Sequence, residues 1–233
     1  MPTLTLFDGN AIWIVIGLSI VLTLLISAAR ALKGRARRSR VLGARLATVA
    51  DARDGELVIV QGKARGEPSV TTLITSKSAI WMRTTVRGEV ARPGLLRFTT
   101  LLRDVQGRAF TVEASGGRFD VATENARVAF APERIARSYT PEEEPIDPRL
   151  LPLFRQHPDE LKDALVEDKA RVDLRTFEEA ILPGDDVSIV GIARRSGPNG
   201  FHIEPSPDGL YVVLGDVKAL AASGALWSDR PDV

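Results

Sequence analysis

The sequence predicts a mainly β fold, β-rich α+β in kind, with a single N-terminal transmembrane helix ahead of it. The β domain is expected to be a bent-sheet or barrel-like body carrying one inserted helix. Three observations carry this. Residues 9–29 contain no charge between Asp8 and Arg30. After residue 55 short β-branched and aromatic runs alternate with glycine-bearing turns. A single later stretch, near 149–168, has helical composition and a Pro-Asp-Glu start at 158–160.

The apolar run comes first. At 1.5 Å per residue its length of roughly 31 Å matches the hydrocarbon core of a bilayer. A helix alone satisfies its own backbone there, so one span is expected within residues 1–29, with Trp13 in the interfacial aromatic belt. The residues after it, 30–45, form a basic juxtamembrane neck. Arg30, Lys33, Arg35, Arg37, Arg38, Arg40 and Arg45 contribute seven positive charges with no acid before Asp51. The leader before the span has no Lys or Arg. The positive-inside rule therefore places the N-terminus outside and the C-terminal body in the cytoplasm of a single-pass cell-membrane protein. The seven cations are the expected contacts to lipid of an anionic leaflet.

The formal net charge of +1 hides a division, with +7 in residues 30–45, −1 at Asp8 and −5 over residues 46–233. A mildly acidic body argues against nucleic-acid binding. The absence of cysteine excludes disulfides, thiol catalysis, Cys-ligated zinc and iron–sulfur clusters. His157 and His202 are the two histidines, too few for a histidine-rich metal centre. No cofactor is expected.

Along the soluble domain, 46–224, ELVIVQGKA is a short strand bracketed by Gly55 and Gly62. AIWMRTTVRG alternates, with Ile80, Met82, Thr84 and Val86 on one face. LLRFTTLLRD and RAFTVEA read as a hairpin turning at 104–107, where Gly107 suits a positive φ. FDVAT and ARVAFAP are further strands. The stretch 138–148 is expected as an acidic, proline-bearing linker, with Glu142, Glu143 and Glu144 solvated. After the helix near 149–168, strands resume over ARVDLRTFEEAI, DDVSIVGIARR, GFHIEPS and GLYVVLG. Residues 225–233 are expected as a flexible tail.

Residues 54–65 (DGELVIVQGKAR) echo residues 183–194 (PGDDVSIVGIAR). Gly55 aligns with Gly184, Gly62 with Gly191, Ala64 with Ala193 and Arg65 with Arg194. A turn glycine, an acidic shoulder, a buried strand and a second glycine suit a small, strongly bent barrel with structural pseudo-symmetry.

These residues also carry a family resemblance. TSKSAIWMRTTV (75–86), then Phe98, Leu101 or Leu102, Asp104, Gly107 and Val112, then Glu178 or Glu179, Leu182, Gly184, Asp185, Val187, Ile189 and Gly191 follow a family pattern in order. The chain resembles the GIDE-type, or "beside a membrane", domain of the mitochondrial ubiquitin ligase mulan and of bacterial membrane relatives, over roughly residues 45–215. The resemblance implies a β-rich, membrane-proximal module. The family's cysteine is replaced near Ser78-Ala79, its second membrane helix is missing from this sequence, and without cysteine no RING can form. Ligase chemistry therefore does not carry over.

The remaining chemistry-bearing residues have plain readings. Asp104 reads as a turn aspartate, and Asp185 and Asp186 as a turn followed by a strand start whose side chains diverge. His157 reads as a helix-start residue, His202 as a strand residue at the surface or core edge, and Trp81 as a core anchor. No G-x-S-x-G, P-loop or dinucleotide fingerprint is present. No catalytic or metal residue is assigned. Trp227 is the candidate for docking a protein partner. The expected function is a membrane-anchored, non-enzymatic binding or scaffold module. The alternatives are a recognition accessory of a GIDE-type ligase pathway and a carboxylate-dependent enzyme or lipid-binding domain.

Overall fold

The computed structural model describes residues 9–92, 95–123, 127–130, 134–197, 200–207, 209–215, 217, 218 and 220. It divides into two units, residues 1–43 and 44–233. The first contains one continuous helix, α1 (Gly9–Gly43). Leu18, Ile20, Val21, Leu22, Leu24, Leu25 and Ile26 are all exposed on it, so its apolar surface runs round the whole circumference rather than along one stripe. Among the described residues no helix is long and apolar enough to cross a membrane. Within the uncharged run of α1, side chains are described without interruption over 18–28.

The second unit is mainly β, as expected. Its elements are β1 (Arg45–Leu46), β2 (Leu57–Arg65), β3 (Val70–Thr71), β4 (Ser78–Ala79), β5 (Trp81–Arg92), β6 (Leu95–Gly107), β7 (Phe110–Ala114), β8 (Gly117–Val121), β9 (Arg127–Phe130), β10 (Ala136–Thr140), α2 (Leu151–Gln156), α3 (Pro158–Leu161), β11 (Leu165–Val166), β12 (Lys169–Ala170), β13 (Leu174–Ile181), β14 (Asp186–Gly197), β15 (Gly200–Glu204) and β16 (Tyr211–Leu214). Strands β2, β7, β8, β15 and β14 pair in that order, and β14 returns to β2, closing a five-stranded barrel. Counted along the chain, the barrel strands run 1-2-3-5-4-1, with β8 and β15 parallel. This is the connectivity of an OB-type Greek-key barrel. Val58, Val60, Val112, Phe119, Ile189 and Ile203 fill its interior.

A second sheet, β10-β13-β5-β6, is built from the two long insertions between barrel strands. Its face toward α2 and α3 buries Val86, Leu102 and Leu174 against Leu150, Leu153, Phe154 and Leu161.

Three sequence expectations change. The hairpin placed at 104–107 is not formed: β6 runs through to Gly107 and pairs antiparallel with β5, from Arg92 opposite Leu95 to Trp81 opposite Gly107. Gly107 does have positive φ (136°), but it lies where the chain leaves one sheet for the other, because β7 pairs with β2 and β8. The inserted helix is broken into two short pieces at His157-Pro158, where proline cannot continue the preceding turn, and it ends at Leu161. The stretch 138–148 begins as strand and is then pinned, with Glu143 N donating to Ala170 O (2.8 Å) and Ile146 N to Asp168 O (2.9 Å). Glu142, Glu143 and Glu144 themselves are exposed.

The sequence echo is a local two-fold axis. Strands β2 and β14 pair antiparallel with Val60 opposite Ile189, and each aligned residue maps onto its mate across that pair. Gly55 N donates to Ala193 O (2.8 Å) and Gly184 N to Ala64 O (2.8 Å). Ala64 N donates to Asp185 O (2.8 Å) and Ala193 N to Glu56 O (2.9 Å). The relation extends to the next strands. Arg65 lies opposite Thr111 and Arg194 opposite His202, so Phe110-Thr-Val-Glu113 and Phe201-His-Ile-Glu204 are equivalent. Even the ion pairs repeat, Arg65–Glu113 at 2.6 Å and Arg194–Glu204 at 3.2 Å.

On the second sheet, Tyr139 Oη donates to Asp173 Oδ2 (2.7 Å) and Glu142 N donates to Asp173 Oδ1 (2.9 Å). The phenol hydrogen bond, followed by the amide, holds the Asp173 carboxyl below its ordinary value. A depressed carboxyl stabilises the fold above the ordinary value of about 3.9 and loses that contribution as pH falls through the folded value. In Tyr139→Phe the Asp173 titration, followed by carboxyl NMR, is expected to move up. An unchanged midpoint would show that the phenol contributes nothing.

Candidate functional site

Three places concentrate chemistry. The first is the neck. Arg35, Arg38 and Arg40 are exposed on the last turns of α1. Arg30, Lys33 and Arg37 belong to the same helix, but their side chains lie outside the described residues. Arg45, expected as a membrane-surface cation, belongs instead to the β unit. It donates to Asp51 (2.8 Å) and Glu56 (2.9 Å), and these partners hold its guanidinium firmly protonated. Trp227 lies outside the described residues.

The second is the outer face of the barrel. Inward Phe119 and Val121 force Arg118 and Asp120 of β8 outward by strand alternation. His202 is turned outward on β15 in the same way. The ladder then aligns Arg65, Thr111, Asp120, His202 and Arg194 in one row across five strands. Two hollows meet at Asp120. One, of about 630 Å³, is lined by Glu113, Ala114, Gly117, Arg118, Asp120, Ser196, Gly197 and Gly200. The other, of about 360 Å³, is lined by Arg65, Gly66, Ala109, Phe110, Thr111, Asp120, Val121, Ala122 and His202.

The third lies on β13, which places two acids in the interior. Glu178 is 2% exposed. Its carboxylate accepts from the amide of Leu73, from Ile74 N (2.9 Å) and Thr75 N (3.3 Å), and from Thr75 Oγ1 (3.2 Å). Three successive amides thus form a nest filled by a side chain of the same molecule. Glu179 is 3% exposed and accepts from Arg83 Nε (2.5 Å), while Arg83 Nη2 donates to Val128 O (3.1 Å). Both acids are fully engaged in holding the fold. Sequence reasoning offered them only as alternatives in the family pattern. The available signal was a pair of acids within the apolar strand LRTFEEAI.

The other candidates are dispersed. Asp104, read as a turn residue, sits within β6 opposite Thr84, accepts from Gln106 Nε2 (2.6 Å) and lies 4.0 Å from His157. His157 is also 3.4 Å from Glu160. Asp185 accepts from Leu182 N (2.8 Å) and pairs with Arg134 (2.7 Å), while Asp186 pairs with Lys63 (2.8 Å), so the two carboxylates diverge. Trp81 is buried, with its ring 6.2 Å from that of Phe130. Among the described residues no cluster of three potential ligands could hold a metal ion. Compared with protein-family models, curated proteins and solved structures, the chain finds no match.

Proposed function

We propose that the protein is a membrane-anchored, non-enzymatic binding module held at the cytoplasmic face of the cell membrane. The observation that carries this is the join, within one helix, of an uncharged 9–29 run to the basic stretch that follows. Two further features support it. The described apolar side chains of α1 are exposed on every side, an arrangement suited to lipid. Thr23 Oγ1 donates to Ser19 O (2.7 Å), which satisfies the hydroxyl without water. The resemblance to the GIDE-type domain supports the same placement, and the role of recognition accessory would rest on that resemblance alone. The mechanism is positional: a tether raises the effective concentration of the β domain toward partners at the same surface.

Alkaline carbonate extraction of membranes from cells expressing the full chain tests the anchor. The wild-type protein is expected in the pellet. Leu22→Arg with Leu25→Arg adds roughly 5–7 kcal/mol to insertion and moves the protein to the supernatant. Wild-type protein in the supernatant would end the proposal. Digestion of the β domain from outside the cell would refute its orientation.

A further inference from the structure

We infer that the glycine-floored groove on the barrel takes a small zwitterion, with an anionic group on Arg118 and a primary ammonium on Asp120. The charges around the groove divide into two sets. Arg65–Glu113, Lys63–Asp186 and Arg194–Glu204 are closed ion pairs. Arg118 and Asp120 face the same hollow, and neither side chain makes a hydrogen bond or ion pair among the described residues. They share one face of β8, roughly 6.6 Å apart along the strand, and form no ion pair with one another.

The floor matches these two charges. An added Cβ at Gly197 would meet nothing within 4 Å, so the groove is open directly above that backbone. At Gly200 an added Cβ would meet only the Ser196 hydroxyl, at 3.3 Å, whereas the side-chain space of Gly117 is already taken by Val49 at 3.0 Å, so the open floor is at Gly197 and Gly200. The spacing selects charges separated by several bonds, as in a phosphate joined to a primary amine through two carbons, and disfavours an α-amino acid, whose charges are closer. A single arginine among Glu113 and Asp120 is a poor site for a polyanion. The guanidinium offers a planar fork to phosphate or carboxylate, and Asp120 accepts N–H donors that a quaternary ammonium lacks.

The chemistry has two sources, a free aminoalkyl phosphate and an ethanolamine-type lipid headgroup. Calorimetric titration of the full chain in non-ionic detergent, first with O-phosphoethanolamine and then with a short-chain phosphatidylethanolamine, separates them. Binding of both supports the free ligand as sufficient, and binding of the short-chain lipid alone assigns the site to the headgroup. Arg118→Glu and Asp120→Lys are each expected to weaken binding at least tenfold. The double variant restores the dipole in reverse and regains affinity for a ligand that can turn round. Gly197→Leu fills the floor and removes binding with an unchanged melting temperature. Failure of both probes overturns the inference. So does equal binding of ethanolamine and inorganic phosphate taken separately, or indifference to all the substitutions. None of these outcomes depends on α1 crossing a bilayer.

Discussion

Gly62→Val is expected to prevent the barrel from closing. A Cβ at position 62 would lie 2.2 Å from the carbonyl oxygen of Glu113 and 2.8 Å from its carbonyl carbon. These are backbone atoms of β7, so no rotamer change relieves the clash; the strands must part. Overpacking in cores typically costs 1–3 kcal/mol, and a clash with backbone belongs above that range, on the order of 4 kcal/mol or more. The two-fold relation predicts the same outcome at the mate. A Cβ on Gly191 would lie 2.5 Å from Ile203 Cγ2 and 2.7 Å from Glu204 O. Urea denaturation followed by tryptophan fluorescence measures both variants. A Gly62→Val protein that melts with the wild type would mean that β2 and β7 are not in contact as described.

Glu178→Ala carries the second large effect. It leaves the amides of Leu73, Ile74 and Thr75 without their acceptor. Each orphaned buried donor costs about 1–3 kcal/mol. The adjoining hollow of about 240 Å³, lined by Thr75, Lys77 and Arg134 among others, admits water that recovers part of this. The net loss is expected at about 3–5 kcal/mol. Glu178→Gln keeps one acceptor oxygen and is expected to lose about half as much. Equal stability of all three proteins would show that the nest is not what fixes loop 72–77.

The legible and illegible parts of this fold have physical causes. Strand identity was readable in Leu57–Arg65 and Asp186–Gly197 because each holds a short β-branched run, buried at consecutive positions and preceded by a turn glycine. The pairing of those two strands was half visible in their echo. The second half, Phe110–Glu113 against Phe201–Glu204, escaped because its sequence offset differs from that of the first, the insertions between the copies being unequal in length. The β5–β6 turn was misplaced because Gly107 carries a real positive-φ signal serving a different purpose. Arg92-Pro-Gly-Leu95 was the better turn signal. Of the site residues, the neck was read from charge alone, which needs no tertiary information. The row through Asp120 needed the strand order, since its five residues are scattered between positions 65 and 202.

The seam between β2 and β14 also sets a timetable for synthesis. Lys63 finds its partner only when Asp186 has been made, and the last barrel strand follows later still. Until then the first strand, flanked on one side by β1 and β7, presents its other edge to its surroundings, a template for pairing with other chains. Such distant contacts fold slowly, because chain entropy is lost before they form. A nascent chain stalled before residue 186 should therefore be a sticky species needing chaperone cover, whereas one released after residue 204 can close on itself.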